Sequence, residues 1–200
     1  MSGWGLKFLD YDNDGSLDLF LSNGNPDDLI QVYHKDVGYE EPLLLFRSTG
    51  KGFQNVSSSS GPLFERNLSA RGLAVGDFDN DGAVDVLIST NGGPPLLLRN
   101  NAGKLNHWLG MNLVGTKSNR DAVGARVTYQ AGDLRRTRMK TGGGSFLSSH
   151  DPRVVLGLGQ RTKIDWVEVK WPQPSNLLER FTNLPVDRYI TIVEGYGKWK

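Results

Sequence analysis

The chain has 200 residues, 25 of them glycine, and 23 Lys and Arg against 22 Asp and Glu. It has no cysteine, which excludes disulfides, thiolate metal sites and a cysteine nucleophile. No apolar run reaches the length of a membrane span, and the start, Met1 to Lys7, lacks the basic and apolar regions of a signal peptide.

Taken in order, Leu6-Lys-Phe-Leu9 reads as a strand. It leads into Asp10-Tyr-Asp12-Asn-Asp14-Gly15-Ser16-Leu-Asp18, and Leu17–Leu21 leads out as a second strand. Pro42-Leu-Leu-Leu-Phe-Arg47 predicts a third strand and Phe53–Val56 a fourth, with Ser57–Ser60 as a linker. Arg71–Gly76 opens a second copy. Its loop is Asp77-Phe-Asp79-Asn-Asp81-Gly82-Ala83-Val-Asp85, 67 residues after the first, and Pro95-Leu-Leu-Leu-Arg99 repeats the earlier Pro-Leu-Leu-Leu.

Each loop packs four carboxylates into nine residues. Crowded aspartates repel one another and raise each other's pKa, and a hard divalent cation removes that conflict. Calcium takes six to eight oxygens from carboxylates, carbonyls and water. The glycine supplies a turn that a side chain would obstruct. A single Asp-Asn-Asp-Gly is equally consistent with a surface turn, but a duplicated one points to two calcium sites. The side-chain ligands expected are Asp10, Asp12, Asp14 and Asp18, and Asp77, Asp79, Asp81 and Asp85. By analogy with other Asp-rich calcium loops, the carbonyls of Ser16 and Ala83 join them. An EF-hand is excluded, because its twelfth-position Glu is Leu21 or Ile88 here and the flanks are strands.

Charge divides the chain near residue 103. Residues 1–103 hold 7 Lys and Arg against 14 Asp and Glu, a balance of −7, and residues 104–200 hold 16 against 8, a balance of +8. Repeats of this length with several short strands suggest propeller blades. Two blades do not close a ring of about four to eight. The chain is therefore expected to be the C-terminal piece of a larger protein that supplies earlier N-terminal blades. Leu17, Leu19, Leu21 and Leu43 to Leu45 are the apolar residues expected to be left bare.

The second half reads as β throughout. Ala125–Gln130 alternates, Ala131-Gly-Asp133 turns, and Leu134–Lys140 completes a hairpin. Ile164–Trp171 alternates with a shift at Trp166-Val167 that suggests a bulge, and Tyr189–Glu194 is the last strand. A sandwich of seven or eight strands fits this spacing.

Other motifs carry weaker chemistry. Arg136, Arg138 and Lys140 share one strand face, which suits an anionic polysaccharide but also a solvated face or one turned to the acidic first half. Asn119-Arg120-Asp121 suits a polar ligand or, more commonly, a capped loop. Gly142–Gly144 lacks the helix and Lys-Ser/Thr of a phosphate loop. His150 and Asp151 are adjacent, so on a strand they point to opposite faces and do not form a triad with Ser148 or Ser149. Nucleic acid is not expected, because no aromatics flank the basic strand.

Residues 5–103 resemble FG-GAP (VCBS-type) repeats, the calcium-loop blades of integrin-like β-propellers, and both loops match without a gap. The second half resembles the ASPIC/UnbV domain, which follows such repeats in the cartilage acidic protein family and its bacterial relatives. The residues that carry this are Asn106–Leu109, Gly115–Val127, Gly142–Ser149, Leu156–Gly159 and Val167–Pro172. Pro174 and Leu156 depart from the family pattern. The resemblance implies an all-β chain: a partial β-propeller of two blades over 1–103, then a β-sandwich-like domain over 104–200. It implies calcium-dependent adhesion, or binding of a protein or polysaccharide, outside the cell, at its surface or in the periplasm. Two alternatives stand beside this reading. One is a calcium-dependent enzyme or accessory protein acting on a small molecule or glycan. The other is a purely structural stalk. A polar pocket at the junction of the halves would favour the enzyme.

Overall fold

A computed structural model describes residues 1–200. Its regular structure is almost entirely strand. The first repeat contains β1 (Gly3–Leu9), β2 (Asp18–Asn23), a single-turn helix α1 (Ile30–Tyr33), β3 (Glu41–Pro42), β4 (Leu44–Ser48) and β5 (Phe53–Asn55). β1, β2, β4 and β5 form one antiparallel sheet in that order. The stretch expected as one third strand is split at Leu43 into β3 and β4, and Ser57–Ser59 forms a 3-10 turn. The second repeat has β6 (Asn67–Leu68), β7 (Ala70–Gly76), β8 (Asp85–Thr90) and β9 (Leu96–Leu98). β7, β8 and β9 form a three-stranded sheet, and β6 pairs with β3 of the first repeat.

The two sheets pack face to face over a core of ten residues. Leu9, Phe20, Leu43 and Leu45 come from the first sheet and its approach, and Leu73, Val75, Val86 and Ile88 from the second. Leu43 and Leu45 are thus buried rather than bare. The exposed apolar residues of the first repeat include Leu6, Phe8, Leu17 and Phe53 on or beside its sheet, and Leu29, Val32 and Tyr33 around α1. In β1 and β2, alternate side chains face opposite ways, and the partners Phe8 and Leu19 lie on the face turned from the second repeat.

The remaining strands are β10 (His107–Val114), β11 (Arg126–Ala131), β12 (Leu134–Met139), β13 (Val154–Gly159), β14 (Trp166–Lys170), β15 (Leu178–Phe181) and β16 (Tyr189–Val193). They make two sheets, ordered β13-β10-β16 and β12-β11-β14-β15. β10 and β16 run parallel, an arrangement that needs a long connection, and here the other strands supply it. A core of 19 residues lies between the sheets, including Tyr129, Leu156, Val167 and Trp171. The expected bulge at Trp166-Val167 is absent. β14 begins at Trp166 and keeps an unbroken register against β11 and β15. The shift in alternation marks where the strand starts.

Candidate metal centres

The first Asp-rich loop joins β1 to β2 and the second joins β7 to β8. They share one backbone conformation. Asn13 and Asn80 lie at φ 56° and 60°, and Gly15 and Gly82 at 90° and 88°, a left-handed region that favours Asn and Gly.

They also share a hydrogen-bond frame. Gly15 N–H donates to Asp10 Oδ2 at 3.0 Å, and Gly82 N–H to Asp77 Oδ2 at 2.7 Å. Asp18 accepts from Tyr11 N–H at 3.2 Å and Ser48 N–H at 2.8 Å. Asp85 accepts from Phe78 N–H at 3.0 Å and Asn100 N–H at 2.7 Å. Each first and last aspartate is thus fixed by the backbone it closes.

The frame brings Asp10, Asp12 and Asp18 together, and Asp77, Asp79 and Asp85, each trio offering oxygens within 4.8 Å of one another. Asp14 and Asp81 stand outside the trios. Their Oδ1 atoms accept from Ser16 N–H at 2.6 Å and Ala83 N–H at 2.9 Å. Ser16 and Ala83 thus sit at the turn that Asp14 and Asp81 brace.

The electrostatics fit a cation. Burial pushes Asp10 up to about 7, against the partial relief of Arg138, and burial lifts Asp18 to about 6. Burial and neighbouring aspartates also raise Asp12 and Asp85. Asp10 Oδ1 is buried without a hydrogen-bond partner, an omission that costs roughly 1–3 kcal/mol or more for a charged group. A divalent cation at each trio would satisfy this oxygen and end the repulsion.

Two arginines occupy equivalent places. Leu19 pairs with Phe46 and Val86 with Leu98, so Arg47 and Arg99 each follow at the same step. Arg47 Nη2 lies 3.0 Å from Asp12 Oδ2 and 3.9 Å from Asp14 Oδ2. Arg99 pairs with Asp79 and lies 3.8 Å from Asp81 Oδ2, and Lys104 Nζ lies 2.5 Å from that same oxygen. Burial opposes ionisation of Asp81, but Lys104 and the Ala83 N–H outweigh it and lower its pKa.

The second half grips both loops. At the first, Arg136 Nε donates to Gly15 O at 2.8 Å, Arg138 Nη2 to the same carbonyl at 3.1 Å, and Gly159 N–H to Asn13 O at 2.8 Å. Arg138 also meets Asp10 Oδ2 at 3.4 Å. The basic strand therefore faces the acidic half, at least through Arg136 and Arg138. Gly157 packs so closely that a Cβ there would stand 2.3 Å from Asp10 Oδ2. At the second loop, Tyr189 OH donates to Asp77 Oδ2 at 2.6 Å and Arg153 Nη2 to Asp77 O at 2.8 Å. The loops also touch each other, where Asn13 Nδ2 donates to Gly82 O at 3.0 Å, and Asn100, beyond β9, donates from Nδ2 to Tyr11 O of the first loop at 2.6 Å.

The other singled-out motifs serve the fold. Asn119 accepts from Val123 N–H at 2.8 Å and donates back to its carbonyl, the capped-loop arrangement. His150 Nδ1 accepts from Val75 N–H at 3.2 Å, and Asp151 is held by Arg153. Arg47, Arg99, Arg153 and Tyr189 were not singled out from the sequence. The first two had a signal, since each closes a Pro-Leu-Leu-Leu strand.

Comparison with known families agrees with this arrangement. Residues 10–88 match the FG-GAP-like repeat, and residues 115–198 match the family described as ASPIC and UnbV. Each half of the chain thus matches one of two families, FG-GAP-like repeat in the first and ASPIC and UnbV in the second. Among curated proteins it is similar to cartilage acidic protein 1 of Mus musculus and of Homo sapiens, 28% identical over 172 residues in each case. The same protein of Xenopus tropicalis is 27% identical over 172 residues. These matches cover 82% of this chain and 24% of each relative, so the chain spans about a quarter of their length. No helix is long and apolar enough to cross a membrane.

Proposed function

We propose that each Asp-rich loop binds one calcium ion and that the chain is a calcium-dependent adhesion or ligand-binding module acting outside the cytoplasm. The duplicated carboxylate trio, held by the same backbone donors in both copies, carries this reading. Asp10, Asp12 and Asp18 would hold one ion and Asp77, Asp79 and Asp85 the other. Asp14, Asp81 and the carbonyls of Ser16 and Ala83 would complete the shells directly or through water. Sites of this kind in extracellular modules bind at about 10⁻⁴–10⁻³ M, too weakly to fill in a resting cytoplasm. A protein or polysaccharide outside the cell is the proposed ligand. The chain divides on this reading into blades over 1–103 and a sandwich over 104–200.

Calorimetric titration of calcium tests the assignment. Wild type takes two ions, Asp12→Ala and Asp79→Ala one each, and the double variant none. Fewer than two ions in wild type, or two in the double variant, would sink it. The cavity at the junction of the halves is the one feature that favours a small-molecule role.

A further inference from the structure

A cavity of about 140 Å³ lies where β1 and β7 of the repeats meet β12 and β13 of the second half. A water needs roughly 10–15 Å³ on this measure, so a group the size of sulfate fits. Its wall carries Lys7, Arg138, Lys140 and Arg153 against Asp10, Asp77 and Asp151. Lys140 is only 6% exposed. Its backbone is paired, through Lys140 N–H to Ala125 O at 2.8 Å and Gly124 N–H to Lys140 O at 2.8 Å, but its amine forms no hydrogen bond or salt bridge, and the residue lines the cavity. Lys7, half-buried on β1, borders the same space and is likewise without a partner.

An ammonium partly withdrawn from water without a partner is disfavoured, and these two are near enough to act on each other. Burial and then Lys140 lower the pKa of Lys7, and burial lowers that of Lys140 against the longer-range pull of Asp121 and Asp151. His150 adds a donor. Its Nδ1 accepts from Val75 N–H, so the ring proton sits on Nε2, and burial followed by Lys7 holds its pKa at about 4.

Of the three acids bordering the cavity, Asp77 and Asp151 are engaged through both oxygens, and Asp10 through Oδ2 alone. Asp151 takes Arg153 with both oxygens, at 3.0 and 2.9 Å from Nε. Asp77 accepts from Tyr189, Gly82 and Asp81. Asp10 accepts from Gly15 and Arg138 and belongs to its trio.

We propose that this cavity binds a small, doubly charged oxyanion of sulfate or phosphate size, held by the Lys7 and Lys140 amines and the Nε2–H of His150. The site stands on its own cations and does not rest on calcium binding by the loops.

Sodium sulfate, titrated into the full chain by calorimetry at constant ionic strength, tests it. One saturable site is expected, weakened about tenfold or more by Lys7→Met or Lys140→Met, as for loss of a hydrogen bond to a charged group. Lys35→Met, in the exposed 27–38 loop, leaves it unchanged. Nitrogen-15 NMR of the wild-type chain in the same titration covers any variant that misfolds, with shifts expected at Lys7, Lys140, Thr141 and His150. Absence of saturable binding, shifts confined to other residues, or undiminished binding by a folded double lysine variant would overturn the proposal.

Discussion

The Tyr189 hydroxyl donates to Asp77 Oδ2 at 2.6 Å, linking the first strand position of β16 to the first residue of the second Asp-rich loop, 112 residues away. Burial, and then Asp77, raise the phenol well above its usual pKa, so it remains a donor at any ordinary pH. Groups that orient a metal ligand in this way typically change affinity by about 10–100-fold when removed. Tyr189→Phe should therefore weaken calcium at the second loop about tenfold and leave the first loop unchanged. Calorimetry in an Asp12→Ala background reads the second loop alone, and unchanged affinity there would refute the link.

Arg47 and Arg99 should act in the opposite direction. A guanidinium beside the ligands competes with a cation for the same oxygens, and unit charges 4 Å apart interact by about 1 kcal/mol even in water. Arg47→Ala and Arg99→Ala are each expected to tighten calcium at the adjoining loop by roughly fivefold. Weaker binding would mean that the arginines support the loop fold more than they oppose the ion.

Gly82 should be far less replaceable than Gly50. Both have positive φ, at 88° and 76°. A Cβ at Gly82 would lie 1.9 Å from the Trp108 ring, whereas nothing stands within 4 Å of one at Gly50. Gly50→Ala should cost about 1–2 kcal/mol, from the left-handed backbone alone. Gly82→Ala adds overpacking of about 1–3 kcal/mol and should also loosen the junction. Denaturant unfolding measures both, and equal losses would contradict the packing.

Glu194 supplies a test against pH. Its carboxylate accepts from the N–H groups of Thr116, Lys117 and Ser118 at 2.7, 2.9 and 2.9 Å. Burial opposes its ionisation, but these donors and Ser175 outweigh it and hold it at about 2 against a usual 4.5. A depressed carboxylate stabilises the fold above its unfolded pKa, and that gain is lost as pH falls toward the folded value. The stability gap between wild type and Glu194→Gln should be full at pH 5 and close as pH falls from 4.5 toward 2. A gap constant over that window would show that the charge contributes nothing.

The halves should differ when made separately. Residues 104–200 keep a core of 19 buried residues and are expected to unfold cooperatively as a soluble monomer. Residues 1–103 keep ten and lose the grip of Arg136, Arg153 and Tyr189 on their loops. They also expose Leu6, Phe8 and Phe53, so aggregation is expected even with calcium. A stable monomeric 1–103 by sedimentation would show that two blades suffice.

The loops were legible because every carboxylate of a site falls within nine residues and the pattern occurs twice. Face assignment was not. Leu43 to Leu45 is uniformly apolar, so alternation could not reveal that Leu43 and Leu45 are buried while Leu44 points elsewhere. The pairing of Lys7 with Lys140 was equally hidden. Lys7 lies on β1 and Lys140 just past the end of β12, and only the approach of these strands places them in one cavity. Tyr189 opens β16 and Arg153 precedes β13, both far from the loops in sequence, and their contacts depend on docking that no local pattern encodes.

Arg47 follows Asp10 by 37 residues and Arg99 follows Asp77 by 22, yet strand register delivers both to the same station. The extra length of the first repeat bulges out between β2 and β4, where Val32 and Tyr33 are 69% and 67% exposed. Chain length on that side is thus decoupled from the chemistry of the loop. A foreign peptide spliced near His34–Asp36 should be carried without disturbing either aspartate trio, which makes this segment the natural mounting point for a label or a grafted epitope.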